Sequence, residues 1–291
     1  MSFSGTIVIS HNPVTSWERY SRTFDPGGFS GFHPETRAQG GYYRCRLNLH
    51  GGREFLSEFL SNGLGRDLAA FDPRGEQIWE GFIHGMTLDA GGARIQINLE
   101  EVYNKVWIRY RLTGTTTTVR STPTEDLVSQ DRFGIKDFVL TGGELESAAV
   151  ANQIAQSYLN LHAQPKPTPS RIGIGGSRPA RGAAKIEIEA RGYWDTLKWR
   201  VYNQTGSSGN QGISAEVGDI VTAVGQFIAG TKIDVNSTLV TKVYDQDRFA
   251  GDILEDLARV GDVSYRRYIL QVGNGRILKF GQAAPATILV V

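Results

Sequence analysis

Few residues of this chain have the types and spacing to carry chemistry. The five histidines, His11, His33, His50, His84 and His162, lie far apart in sequence, and no two have metal-ligand spacing. Glu100 and Glu101 form an adjacent carboxylate pair after a strand-like run. Neighbouring strand residues point to opposite faces, so the pair does not suit acid and base work on one substrate and reads as a solvated turn. Asp245-Gln246-Asp247 has the spacing of a metal loop. It lacks the further oxygens and the distal Glu that a calcium loop needs, and it reads as the cap of a helix starting at Arg248. Gly173-Ile174-Gly175-Gly176-Ser177 is not followed by Lys, so it reads as a turn rather than a phosphate cradle. No nucleotide-binding, nucleophile-elbow or zinc-protease pattern occurs. The expectation is a protein that is not an enzyme, with no catalytic residue, no metal and no cofactor.

One charge feature stands out. Between Ser147 and Ile186 there is no acidic residue, whereas Lys166, Arg171, Arg178, Arg181 and Lys185 are present. Such a strip can face a polyanion or an acidic partner, which makes these five the candidate interface or channel residues. The same residues also suit a solvated connector.

Composition narrows the class. The chain has 291 residues and a formal net charge of +1, which argues against a dedicated nucleic-acid binder. Its 35 glycines point to tight turns and bulges in a strand-rich pattern. The single Cys45 excludes an internal disulfide and, set in the alternating run Tyr43–Leu47, reads as a small buried side chain. The first residues show no signal-peptide pattern, and no apolar run is long enough to cross a membrane as a helix.

The elements that must position these residues follow from periodicity. Strands are expected at Thr6–Ser10 and Tyr42–His50, with a loop or extended arm over Phe24–Pro34. A short helix over Arg53–Ser61 buries Phe55, Leu56, Phe59 and Leu60 and stops at Gly63. Arg66–Asp72 and Gln77–Met86 form a hairpin. Residues 113–132 are polar and aperiodic and read as a mobile insertion. Glu144–Ala163 is a helix whose alanines suit close packing on a sheet, followed by a Pro-rich extended connection. A helix over Val217–Ala229, a strand over Leu239–Tyr244, a helix over Arg248–Val260 and a hairpin from Tyr265 to Phe280 complete the pattern.

Two stretches repeat one phrase. Ala93–Arg111 (ARIQINLEEVYNKVWIRYR) aligns without a gap on Ala184–Tyr202 (AKIEIEARGYWDTLKWRVY), with Ile95 on Ile186 and Val106 on Leu197. A weaker echo pairs Phe55-Leu56 and Gly63 with Ile253-Leu254 and Gly261, each ahead of a hairpin. Duplication predicts a mainly β (α+β) chain of two related small β-barrel modules, each with a short covering helix. The expected division is an arm at 1–41, a module at 42–112, an insertion at 113–183 carrying the 144–163 helix and the basic connector, and a second module at 184–291.

Several ordered motifs resemble the minor tail proteins of long-tailed bacteriophages. They are Gln77-Ile-Trp-Glu-Gly-Phe-Ile-His-Gly85, Tyr103-Asn-Lys-Val-Trp-Ile-Arg-Tyr110, Phe133-Gly-Ile-Lys136, Gly192-Tyr-Trp-Asp-Thr-Leu197 with Arg200-Val-Tyr-Asn203, and Asp252-Ile-Leu-Glu-Asp-Leu-Ala-Arg-Val-Gly261. The set resembles tail-tip or baseplate hub proteins with two tube-forming modules. That resemblance implies a virion structural protein that assembles in the host cytoplasm as a ring. Three copies supply six modules, and a hexamer is the arrangement of the alternative, a distal-tail adaptor or tube protein. The implied partners are further copies of the chain and other tail proteins (tube, adaptor, tip or fibre), with DNA only in transit and no membrane span. The reading from another class is a carbohydrate-binding or cell-wall-degrading β scaffold. It would need carboxylates paired across a groove or an exposed row among Trp17, Trp79, Trp107, Trp194 and Trp199.

Overall fold

The structure is a computed structural model describing residues 5–10, 22–24, 28–90, 93–172, 184–203, 210–241, 247–264 and 266–282. Among the described residues 45% are strand and 28% helix, so the fold is mainly β with helices. It divides into two compact units, one of residues 1–35 and 44–191, the other of residues 36–43 and 192–291.

The first unit contains most of the elements. They are β1 (Thr6–Ser10), β2 (Arg22–Phe24), β3 (Phe29–Arg37), β4 (Gly40–His50), α1 (Arg53–Asn62), β5 (Asp67–Phe71), β6 (Gln77–Asp89) and β7 (Ala93–Asn98). There follow β8 (Lys105–Leu112), β9 (Thr118–Arg120), β10 (Thr124–Glu125), α2 (Leu127–Phe133), β11 (Asp137–Leu145), α3 (Ala148–His162), β12 (Thr168–Ile172) and β13 (Lys185–Arg191). The ends of β3 and β4 nearest their connecting turn belong to the second unit.

The larger sheet of this unit runs β3-β4-β13-β6-β5-β1-β2, with β7 beside the far half of β6 and β12 beside β7. Period-2 alternation sets its two faces. On β4, Cys45, Leu47 and Leu49 point inward; on β13, Ile186, Ile188 and Ala190 do the same. Helix α1 lies on β6 and β13, burying Leu56 and Phe59. Gly63 ends it and donates its N–H to the Phe59 carbonyl at 2.7 Å.

The repeated phrase does not mark equivalent places in two units. Strands β7 and β13 pair antiparallel with opposite edges of the same strand, β6. Both belong to the first unit, so the boundary falls after Arg191 rather than before Ala184. Ile186 is fully buried and Ile95 only half so. Val106 lies on strand β8, whereas Leu197 lies in a 3-10 turn, Tyr193–Lys198, although both are buried.

Residues 113–132 hold β9, β10 and most of α2 rather than a featureless insertion. A small sheet of order β10-β8-β11, with β9 on β8, carries them. Polar bonds do the holding. Fully buried Asn104 donates through Nδ2 to Gly134 O at 2.8 Å and to Ser129 Oγ at 3.2 Å, and its Oδ1 accepts from Lys136 N at 2.7 Å. Asp126 caps α2 through a bond from Ser129 N at 2.9 Å. Helix α3 covers β8, packing Ala151, Ala155, Leu159 and Ala163 on Val106, Ile108 and Tyr110. It begins at its cap Ser147, because Glu144 and Leu145 still pair with Arg111 and Leu112 as strand. The stretch read as an arm contains β2 and β3, and β3 is an exposed strand paired to β4.

The second unit contains the 3-10 turn, β14 (Asn210–Gly212), α4 (Ile213–Val224), β15 (Gly230–Ile233), β16 (Leu239–Thr241), α5 (Ala250–Val260), β17 (Tyr268–Gly273) and β18 (Ile277–Gln282). Strands β17 and β18 form the hairpin, β15 runs parallel to β18, and Gly40–Gly41 run beside β17. Gly41 has φ +80°, and a Cβ there would lie 2.4 Å from the Val272 carbonyl oxygen, so this close approach needs glycine. Helix α5 packs Ile253, Leu254 and Leu257 inward over β17 and the 3-10 turn. Its cap position is Phe249, not an aspartate; Asp247 instead adopts φ +57° and bonds Asn203.

Candidate functional site

The residues best placed to act lie on the polar face of the first unit's larger sheet. The alternation that buries Ile186 and Ile188 puts Lys185, Glu187, Glu189 and Arg191 on the opposite face of β13. Register brings Asn48 beside Glu187 and Arg46 beside Glu189 from β4. From the other side, β6 sets Thr87 beside Glu187 and Gly85 beside Glu189, while β7 sets Gln96 beside Thr87 and Asn98 beside Gly85. A bulge between Glu189 and Ala190 leaves His84 as the extra residue of β6.

These side chains line an open groove of about 540 Å³. Three carboxylates enter it, and each is matched. Glu187 meets Arg94 Nη2 at 2.8 Å and Lys185 Nζ at 3.0 Å. Glu189 Oε1 lies 3.4 Å from Arg44 Nε and 3.7 Å from Arg191 Nε. Glu100, in the turn after β7, takes Arg191 Nη2 at 3.0 Å and His84 Nε2 at 2.9 Å. The His84 hydrogen bond, with Arg191 adding to it against partial desolvation, holds the Glu100 carboxyl down at about 2. A carboxylate so firmly ionised accepts hydrogen bonds; it is not poised to give up a proton near neutral pH.

Gly85 keeps the floor open. A Cβ there would stand 3.4 Å from Asn98 Cβ and 4.0 Å from Glu189 Cβ, between two lining residues. Arg46 is exposed, and among the described residues it has no ion pair.

Comparison with protein-family models, with curated proteins and with solved structures finds no match.

The five basic residues singled out by charge are not gathered into one described site. Lys166 is exposed between α3 and β12. Arg171 lies on β12, where its backbone pairs with Arg94 of β7. Lys185 is on β13, pairs with Glu187 and donates to Asn48 Oδ1 at 3.3 Å. Arg178 and Arg181 lie outside the described residues, as does the Gly173–Ser177 run. Among the described residues, no group of three or more His, Cys, Asp or Glu side chains is placed to hold a metal ion. Trp79, Trp107, Trp194 and Trp199 are all buried, which removes them as a stacking row, and Trp17 lies outside the described residues.

Sequence reading missed Glu187, Glu189, Arg191, Arg44, Arg46 and Arg94. Their signal was present as polar or charged residues at every second position of Arg44–His50, Arg94–Asn98 and Lys185–Arg191. That pattern reads as an ordinary solvent face until the register shows four strands presenting polar side chains to one groove.

A second cluster sits on the smaller sheet. Phe138, Tyr158 and His162 stack in series with Tyr103 tilted against Phe138, at ring separations of 4.2–4.7 Å, and all four are half-buried. Burial pushes the Tyr103 and Tyr158 hydroxyls up, and nearby carboxylates add to this. The rings cover one another's faces, so the cluster reads as packing rather than a flat platform.

Proposed function

We propose that this chain is a structural protein of a phage tail tip or baseplate, a hub-like ring that continues the tail tube and docks neighbouring tail proteins. The observation that carries the reading is the recurrence of one construction in both units. In the first, α1 stops at Gly63 and is followed by the β5–β6 hairpin, with the helix laid on the sheet. In the second, α5 stops at Gly261 and is followed by the β17–β18 hairpin, again with the helix on its strand. The two units are read as two tube modules, and the ordered resemblance to minor tail proteins supports the same assignment. In this reading the chain acts as a homotrimer in the virion, three copies presenting six modules around a channel through which DNA passes.

The test is the copy number of the assembled protein. Native mass measurement and electron microscopy of the purified full chain are expected to give closed rings of three copies with six similar lobes. Six copies with sixfold symmetry would replace the hub with a distal-tail adaptor. A chain that stays monomeric at high concentration and does not join other tail proteins would overturn both.

A further inference from the structure

We propose that the groove over β4, β13, β6 and β7 is a binding site for an anionic saccharide, a polyhydroxylated ligand carrying a carboxylate or phosphate group. The proposal stands on the groove alone and goes beyond the ring assembly.

The chemistry of the lining points to this class. Hydroxyl groups both donate and accept, so a polyol is recognised by side chains that offer both. The groove provides carboxylate oxygens on Glu187 and Glu189, and hydroxyl or amide groups on Asn48, Thr87, Gln96 and Asn98. Asn98 Oδ1 already accepts from Glu100 N at 3.0 Å, and Asn48 Oδ1 from Lys185 Nζ. Those bonds orient both amides and leave their NH2 groups to donate. The carboxylates are held in place by Arg94, Arg44 and Arg191, so they are preorganised acceptors rather than mobile chains.

Charge selects the acid group. The three lining glutamates are matched by Arg94, Lys185, Arg44, Arg191 and His84. Of the two exposed arginines that line the groove, Arg94 is paired with Glu187, whereas Arg46 lacks an ion pair among the described residues. A guanidinium fork takes a carboxylate or phosphate through two parallel hydrogen bonds.

A nucleic acid fits less well. Single strands are held by stacking on aromatic rings, and among the described residues the lining includes no Phe, Tyr or Trp. Size agrees with a short saccharide, since about 540 Å³ is within the range of small-ligand sites.

The experiment titrates the full-length protein by calorimetry with tetragalacturonic acid and with a glycerol-phosphate tetramer, which separates carboxylate from phosphate as the acid. Cellotetraose, sodium polyphosphate and an oligo-dT strand are the comparisons. Binding of one acidic polyol is expected, with no measurable binding of cellotetraose and weaker binding of polyphosphate and oligo-dT. Gly85→Val fills the floor and Arg46→Ala removes the acid-binding group; each is expected to weaken binding by about tenfold or more, the scale of one lost charge-assisted hydrogen bond. Lys166→Ala, away from the groove, is expected to leave it within about twofold. Arg46 is exposed, so its variant tests the site even if Gly85→Val lowers the melting temperature. Absence of binding by both acidic polyols overturns the proposal. So does binding that survives Arg46→Ala, equal binding of cellotetraose, or equal binding of polyphosphate or oligo-dT. None of these outcomes depends on how many copies the ring contains.

Discussion

Arg191 Nη2 lies 3.0 Å from Glu100 Oε2, joining the end of β13 to the turn that follows β7. His84 Nε2 approaches the same oxygen at 2.9 Å from the bulge of β6, so one carboxylate ties three parts of the groove together. The linkage has a defined sign. Glu100 is held at about 2 against an ordinary value of 4.5, so the folded state favours the ionised form. The resulting stabilisation is fully present above about pH 5 and is lost as pH falls from there through 2. Glu100 is largely exposed, so screening limits its size. Glu100→Gln is expected to flatten this part of the stability–pH curve, measured by denaturant midpoint between pH 6 and 2.5. A curve as steep as that of the wild type would place the acid sensitivity elsewhere.

Helix α3 packs its alanines directly on β8. Ala151 and Ala155 are fully buried on Val106, Ile108 and Tyr110 of β8. Ala151→Leu and Ala155→Leu each force extra methylenes into that contact and are expected to cost on the order of 1–3 kcal/mol. Ile154 faces the other way and is 42% exposed, so Ile154→Ala is expected to cost less than about 1 kcal/mol. Thermal melts of the three variants separate the faces. Equal losses would mean that the alanine contact is looser than the structure shows.

How much of this was legible in the sequence depends on what holds each element. Strands β4 and β13 were legible because alternation of Leu47 and Leu49, or of Ile186 and Ile188, with polar or charged neighbours has one reading. The segment 113–132 was not, because polar bonds to Asn104 and Asp126 order it, and such bonds leave no periodic trace. The gapless repeat misled for a physical reason. Strands β7 and β13 flank one central strand and run in the same direction, so they meet similar alternation without being equivalents in two units. The weaker echo, a helix, a glycine and a hairpin, is the feature that both units contain. The groove stayed hidden because Glu187, Arg94 and Arg46 come from three strands whose register no local pattern specifies.

Asn104 is the hub of the buried polar network beneath α2. Asn104→Ala leaves Gly134 O and Lys136 N without that partner in a dry environment. Each orphaned group costs about 1–3 kcal/mol, so a loss of roughly 2 kcal/mol or more is expected. Hydrogen exchange locates the effect. Amides of Ser129–Lys136 are expected to lose protection in the variant, while those of β4 and β13 keep theirs. Uniform loss across the first unit would show that the small sheet and the large one unfold together.

Gly81 and Gly143 separate a glycine the fold requires from one it does not. A Cβ at Gly81 would stand 2.2 Å from the Arg191 carbonyl oxygen and 2.5 Å from the Trp79 ring, and neither backbone nor buried indole can yield. Gly81→Ala is expected to cost on the order of 3 kcal/mol by pushing β6 away from the end of β13. Gly143, in β11, has no atom within 4 Å of its Cβ position, so Gly143→Ala is expected to stay within about 0.5 kcal/mol of wild type. Urea midpoints of the two variants decide it, and a tolerated Gly81→Ala would mean that β6 and β13 lie further apart than described.

Cys45 provides a chemical readout of the same sheet. Its side chain is fully buried on β4, and burial pushes the thiol up to about 12. The thiolate is the reactive form, so the native protein at pH 8 is expected to resist a disulfide-exchange reagent. Labelling should then proceed at the rate of opening and become fast in denaturant. The linkage sign adds a second expectation. The folded value lies above the ordinary 9.0, so the favoured neutral form contributes stability below pH 9 that is lost as pH rises towards 12. Labelling of the native protein should therefore accelerate with alkaline pH more steeply than thiolate formation in a free cysteine, because opening itself becomes easier. Complete labelling within minutes at pH 8 without denaturant would show that β4 is exposed on its inner face, contrary to the packing of Leu47 and Leu49 beside it.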